Sequence, residues 1–197
     1  MDGGRYAVMD PDAQLMSAFA AGQEEAFVRL YRSHRERIVN YCRRLLGDQA
    51  RAEEAAQDVF LKVYDAGRRY EARSRFSTYL YRVATNHCFN LNARVERKLL
   101  QHGVDPGDRH DDAADQSERL AQLQLRQALQ KALSTLPDKQ RAALVLVHYE
   151  GLSYREAAEA VDTTESAVKS LIHRARERMA RELQGVLQDH DGVQHAM

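Results

Sequence analysis

SYREAAEAVDTTESAVKSLIHRARER, residues 153–178, decides how the C-terminal half folds. Ser153 stands three residues before Glu156, the spacing of a capping box that opens a helix. Tyr154, Ala157, Ala158 and Val161 share one face of that helix. Asp162 and Thr163 are turn formers, and Thr163 is placed to cap the helix that follows. Val168, Leu171, Ile172, Ala175 and Met179 then recur at helical spacing. Two short helices, a tight polar turn, and small alanines where helices must approach closely make a helix-turn-helix. Its second helix turns Glu165, Ser166, Lys169, Ser170, His173, Arg174, Arg176 and Arg178 outward. In this motif the early residues of the second helix meet base edges in the major groove. Lys and Arg donate to guanine, and Ser donates or accepts. The later arginines suit phosphates, which position without specifying. Tyr154, Arg155, Ser166, Lys169, Ser170, His173, Arg174 and Arg176 are the candidate duplex contacts. The competing reading is a basic, solvated face on an ordinary helical hairpin, and for His173 a plain surface histidine.

Outward from this motif, helical spacing continues. Prolines occur only at Pro11, Pro106 and Pro137, which leaves long stretches free of helix breakers. Ala52, Ala55, Ala56, Val59, Phe60 and Val63 form one apolar face, and Phe76, Tyr79, Leu80, Val83, Ala84 and His87 another. Strand-like alternation is missing, so the class is all-α. The pattern predicts helices near 12–21, 23–46, 50–66, 75–99, 118–134, 138–149, 154–161 and 164–187.

The 197 residues suffice for one ordinary domain or two small ones. The 29 basic and 29 acidic side chains cancel, but they are segregated. Residues 68–98 hold eight Arg/Lys against two acids, and 165–181 hold five against two. Residues 99–120 hold six Asp/Glu against two Arg. Two basic blocks around an acidic stretch suit two nucleic-acid contacts and a solvated connector. The expected organisation is a tail at 1–11, a helical domain at 12–98, an acidic flexible linker at 99–118, a second helical domain at 119–187 and a tail at 188–197.

Cys42 and Cys88 fit no metal or redox spacing and read as buried free thiols. No apolar run of about 18 residues exists to span a membrane. The N-terminus lacks the basic and apolar segments of a signal peptide, so the expected location is the cytoplasm. No nucleophile–base pair or ligand cluster stands out. The chain reads as neither an enzyme nor a metal or cofactor binder.

In 68–98, Arg68, Arg69, Arg73, Arg75, Arg82, Arg94, Arg97 and Lys98 alternate with Tyr70, Phe76, Tyr79 and Tyr81. A basic track with aromatic or polar pockets holds single-stranded DNA. Core packing competes for Tyr79 and Leu80. At 52–64, Gln57, Asp58, Leu61 and Lys62 lie opposite the apolar face and make a mixed surface suited to docking on other helices.

These blocks together resemble the extracytoplasmic-function sigma factors of bacterial RNA polymerase. Residues 144–178, with the lead-in LSTLPDKQRAAL at 133–144, resemble their region 4. Residues 13–46 resemble their first helical region, with AFVRLYRSHRERIVNYCRRLLGD reaching Asp48. AEEAAQDVFLKVY at 52–64 resembles the segment that docks on the clamp coiled coil of the polymerase large subunit. FSTYLYRVATNHCFNLNARVERK at 76–98 resembles the segment that melts the −10 element, and YEARSR at 70–75 the loop around a flipped base. All blocks stand in the family's order. The resemblance implies a sigma region 2 bundle at 12–98 and a sigma region 4 helix-turn-helix at 119–187. It implies polymerase docking by Gln57, Asp58, Phe60, Leu61 and Lys62. It implies capture of the −10 non-template strand by Arg73, Ser74, Arg75, Phe76, Tyr79, Arg82, Asn86, Asn90 and Arg94, with Asn86 reading a flipped base. The −35 element falls to the helix-turn-helix. Implied partners are core polymerase (clamp coiled coil and flap), promoter DNA and an anti-sigma factor. The acidic linker becomes a nucleic-acid mimic near the RNA exit path.

The chain departs from the family pattern in three places. Tyr79 stands where Trp is common. Asn90-Leu91-Asn92-Ala93-Arg94 stands where arginines often cluster. Ser166-Ala167 stands where Gly-Thr is common. A stand-alone helix-turn-helix regulator is the alternative, and a nucleic-acid enzyme a more distant one.

Overall fold

The computed structural model describes residues 10–102 and 127–194. The elements are α1 (Pro11–Ala20), α2 (Glu24–Leu46), α3 (Gln49–Ala66), a 3₁₀ turn (Gly67–Arg69) and α4 (Phe76–His102). A helical segment, α5, follows at 127–134. Then come α6 (Asp138–His148), α7 (Tyr154–Ala160) and α8 (Glu165–Gln194). There is no strand among the described residues, so the all-α expectation holds.

Two boundaries run past the sequence reading. α4 continues to His102, into the expected linker, and α8 continues to Gln194, through most of the expected tail. Gly185 and Gly192 do not stop α8, because a glycine inside a helix costs only about 1 kcal/mol. The remainder of the acidic linker and the start of the helix expected from 118 lie outside the described residues.

In the first half, Met16, Leu30, Ile38, Tyr41, Leu45, Val59, Val63, Phe76 and Leu80 are buried together. Asp10 joins two helices there. Its Oδ1 accepts from the Asp12 amide at 3.1 Å and caps α1. Its Oδ2 accepts from the Phe76 amide at 2.7 Å and satisfies the open N-terminus of α4. Phe19, Phe27 and Tyr64 stack about 5 Å apart at the far end. In the second half, Leu136, Val145, Leu146, Val168 and Ile172 are buried around Ala142, Ala143, Ala157, Ala160 and Ala175. Small side chains at these crossings bring α6, α7 and α8 close.

The halves also touch. α4 packs on α7, and α2 packs on α6.

Candidate nucleic-acid interface

The helix-turn-helix forms from its own local signals. The Glu156 amide donates to Ser153 Oγ at 3.2 Å, and the Ser153 amide donates to Glu156 Oε2 at 2.9 Å. The box is therefore closed from both sides. Burial pushes the Glu156 carboxyl up, but the Ser153 hydroxyl and amide and the nearby Arg75 and Arg155 outweigh it, and the group sits below its ordinary value. Asp162 takes a left-handed conformation, φ 51°, which Asp tolerates in a tight turn. The second cap differs from the reading. Thr164, not Thr163, caps α8, its hydroxyl accepting from the Ala167 amide at 3.2 Å. The reason is register, since an N-cap oxygen serves an amide two or three residues on.

α8 exposes Ser166, Lys169, Ser170, His173, Arg174 and Arg176 along one side, while Val168, Ile172, Ala175 and Met179 are buried on the other. Arg155 is exposed at the start of α7, and Tyr154 is half-buried there. Several cations already have partners. Lys169 pairs with Glu165 at 3.0 Å and lies 5.7 Å above the Tyr154 ring. His173 meets Glu177 at 3.4 Å. Arg176 reaches His148 at 2.8 Å, and burial followed by the charge of Arg176 holds His148 below its ordinary value. These are exposed contacts, readily exchanged for phosphate or base.

The second surface lies on α4 and the loop before it. Arg82, Asn86, Asn90 and Arg94 follow at four-residue spacing and are all exposed. Spacing of four places neighbours one above the next on a helix. Arg82 lies 5.7 Å over the half-buried Tyr79 ring, which meets Tyr70 at 5.4 Å. Burial holds the Tyr79 hydroxyl above its ordinary value and pushes Tyr70 up to about 12. Arg73 pairs with Glu71 at 2.5 Å in the loop, beside the half-buried Ser74. Arg75 reaches across to Glu156 on α7 at 3.6 Å. Phe76 is completely buried, its ring 5.5 Å from His34. It serves as a core anchor of the loop, not as a face offered to a base.

On α3, Leu61 is 61% exposed, and Gln57 and Lys62 are exposed beside the half-buried Asp58. Phe60 does not join them. It is buried against Tyr31, ring centroids 4.9 Å apart, because it falls on the inner face with Val59 and Val63. The accessible face of α3 is therefore Gln57, Asp58, Leu61 and Lys62.

One arrangement was not legible in the sequence. Asp58, Lys62, His87, Asn90, Leu91 and Arg94 line a single cavity of about 240 Å³ between α3 and α4. Lys62 Nζ bonds His87 Nδ1, and His87 Nε2 faces Asp58 at 3.3 Å. Burial, then Lys62, holds the His87 imidazole below its ordinary value. Residues expected separately to meet polymerase and DNA thus line one cavity. Cys42 and Cys88 are both buried and free, and the Cys88 thiol is pushed up by a hydrogen bond with the Cys42 thiol and by burial. Among the described residues no group of three His, Cys, Asp or Glu side chains is placed to hold a metal. No helix of the described residues is long and apolar enough to cross a membrane.

The family description "Sigma-70 region 2" matches residues 30–98, and "Sigma-70, region 4" matches residues 126–179. SigM, an ECF RNA polymerase sigma factor of Mycobacterium tuberculosis, is 32% identical over 91% of this chain and 87% of its own. This chain is an extracytoplasmic-function sigma factor. SigW of Bacillus subtilis is 29% identical over 82% of this chain and 91% of its own. Among solved structures, CnrH in complex with the cytosolic domain of CnrY shares the fold at TM-score 0.68, with 23% identity over 89% of this chain and 99% of that one. RpoE of Bartonella quintana, in complex with the anti-sigma factor NepR, does so at TM-score 0.67, with 24% identity over 80% and 96%. The sigma factor directs RNA polymerase to promoters. The stand-alone regulator is not favoured, because the region 2 match covers the half that such a regulator would lack.

Proposed function

We propose that this sigma factor divides promoter recognition between two surfaces. Gln57, Asp58, Leu61 and Lys62 on α3 dock on the clamp coiled coil of core polymerase. The C-terminal domain meets the flap and reads the −35 duplex through Ser166, Lys169, Ser170, His173, Arg174 and Arg176, with Arg155 and Tyr154 at the groove edge. Arg73, Ser74, Arg75, Tyr79, Arg82, Asn86, Asn90 and Arg94 hold the opened non-template strand of the −10 element, and Asn86 reads one flipped base. Phe76 supports that surface from beneath.

The observation that carries this reading is the exposed ladder of Arg82, Asn86, Asn90 and Arg94 on α4, separate from the exposed basic side of α8. One presents amide and guanidinium groups suited to unstacked bases and backbone. The other is a groove-sized helix. No chemistry takes place on the chain itself, which works in the cytoplasm. An anti-sigma factor covers the docking and DNA surfaces between uses; the likeness to RpoE, whose structure holds such a partner, supports this.

Run-off transcription with core polymerase on a genomic library tests the assignment, since it yields both promoter elements at once. Lys169→Ala and Arg174→Ala are expected to weaken binding to promoters that carry the −35 duplex and to spare fork probes without it. Equal loss on both probes would refute the assignment to α8.

A further inference from the structure

α1 has no part in either proposed surface, yet it holds both ends of the loop at 70–75. It packs on the 3₁₀ turn that leads into the loop and on α4, which leads out of it. At the exit, Asp10 Oδ2 accepts from the Phe76 amide at 2.7 Å, while Oδ1 accepts from the Asp12 amide at 3.1 Å and caps α1 itself. Asp12 Oδ2 accepts from His34 Nε2 at 2.8 Å, and the His34 ring lies 5.5 Å from that of Phe76. The first turn of α1 thus supports Phe76 twice, directly and through His34. At the entry, Phe19 lies so close to the 3₁₀ turn that a Cβ on Gly67 would overlap its ring. The Tyr70 amide donates to the Gly67 carbonyl at 3.1 Å, so the loop takes its start from that turn. Tyr70 then packs on Phe76 and Tyr79, ring centroids 6.4 and 5.4 Å away. Burial first, and the charge of Asp10 second, push its hydroxyl up to about 12. Between these ends the loop is bonded locally, the Arg73 amide donating to the Glu71 carbonyl at 2.8 Å.

A loop without a ladder of backbone bonds takes its shape from the scaffold that fixes its ends. A pocket that tells one unstacked base from another must be held to within about 0.5 Å. A pocket free to adapt fits the wrong base nearly as well, and it loses part of the right base's binding to ordering. We propose that α1 is a splint for the loop at 70–75, and that Asp10, Phe19 and Gly67 are positioning residues that set how sharply the loop discriminates the flipped −10 base. The inference rests on the two-surface reading above. None of the three residues meets the base in that reading. They act through Phe76 at one end and Tyr70 at the other. Ala13 and Met16, completely buried between the two grips, fasten α1 to the bundle and keep the splint rigid.

The test measures base preference by the polymerase holoenzyme on fork probes. The probes carry the −10 sequence recovered by run-off transcription, with its non-template bases exchanged one at a time. Asp10→Ser keeps one oxygen to cap α1 and loses the bond to Phe76. Gly67→Ala drives the Phe19 ring off the 3₁₀ turn. Wild type is expected to prefer the right base by about tenfold or more, the cost of one mismatched position. Each variant is expected to keep wild-type core affinity and to lower that preference to about threefold or less, because a looser pocket gives up differential binding first. Partial unfolding would weaken binding to every probe in proportion and leave the ratio alone, so the ratio separates positioning from stability. A preference equal to that of wild type in either variant overturns the splint and leaves the two-surface reading standing. A wild type that treats all −10 bases alike overturns the two-surface reading, and the splint with it.

Discussion

Asn86 sits exposed on α4, one turn beyond Arg82 and one turn before Asn90. Its amide offers a donor and an acceptor to a base edge. Asn86→Ala is expected to lower open-complex formation about 10- to 100-fold, the equivalent of about 1–3 kcal/mol per captured base, while core binding is unchanged; permanganate footprinting and a core-binding assay separate the two. The next residue, His87, gives a pH signature. Its folded value is held below the ordinary imidazole value by burial and Lys62. The unfolded chain then binds the extra proton more readily, so stability is full above pH 6.5 and declines as pH falls through the depressed folded value. Thermal melts between pH 7.5 and 5 should show the decline in wild type and a shallower one in His87→Gln. Deeper still, Thr85 donates to the Tyr81 carbonyl at 2.7 Å, so Tyr41 donates to Thr85 Oγ1 at 2.7 Å. Tyr41→Phe is expected to cost about 1 kcal/mol in urea unfolding.

At the scale of elements, the helices were legible where the signal is local. The capping box at Ser153 and Glu156 is written within four residues, and the structure closes it as expected. Thr163 and Thr164 are adjacent and chemically identical, so only backbone geometry tells which one caps α8. Phe60 lay on the apolar face by its spacing, and its burial follows that periodicity in preference to the docking role of its segment. Asp10 was not legible at all, because one of the two helices it caps begins 66 residues later. Asp10→Ala removes both caps and is expected to destabilise the N-terminal domain by about 1–4 kcal/mol, at 0.5–2 per cap, measurable by urea unfolding. Gly67 has an ordinary φ of −55°, so its reason is space. A Cβ there would overlap the ring of Phe19. Gly67→Ala is expected to cost about 1–3 kcal/mol through overpacking, and the same melt would register it.

For the whole molecule, what matters is how the two surfaces proposed to meet DNA share one chain. The ladder of Arg82, Asn86, Asn90 and Arg94 is exposed, while Arg75, Tyr81 and Asn92, on the same helix or just before it, reach the second domain. Phosphate contacts release counterions. A probe carrying both elements, bound with core, should consequently show a steeper salt dependence than a −35 duplex alone, and equal slopes would mean that only one surface engages.

The sequence alone determined the helical class, the helix-turn-helix and its exposed basic side, because caps, turns and apolar periodicity act within a few residues. Family membership was legible too, since its blocks stand in order along the chain. Tertiary structure alone decided that Glu150 is buried among Arg37, Arg44 and Tyr81, that Lys62, His87 and Arg94 line one cavity, and that Phe76 is sealed in the core. Those contacts join residues up to 113 positions apart. Local propensity carries no record of such meetings, which depend on how completed helices pack.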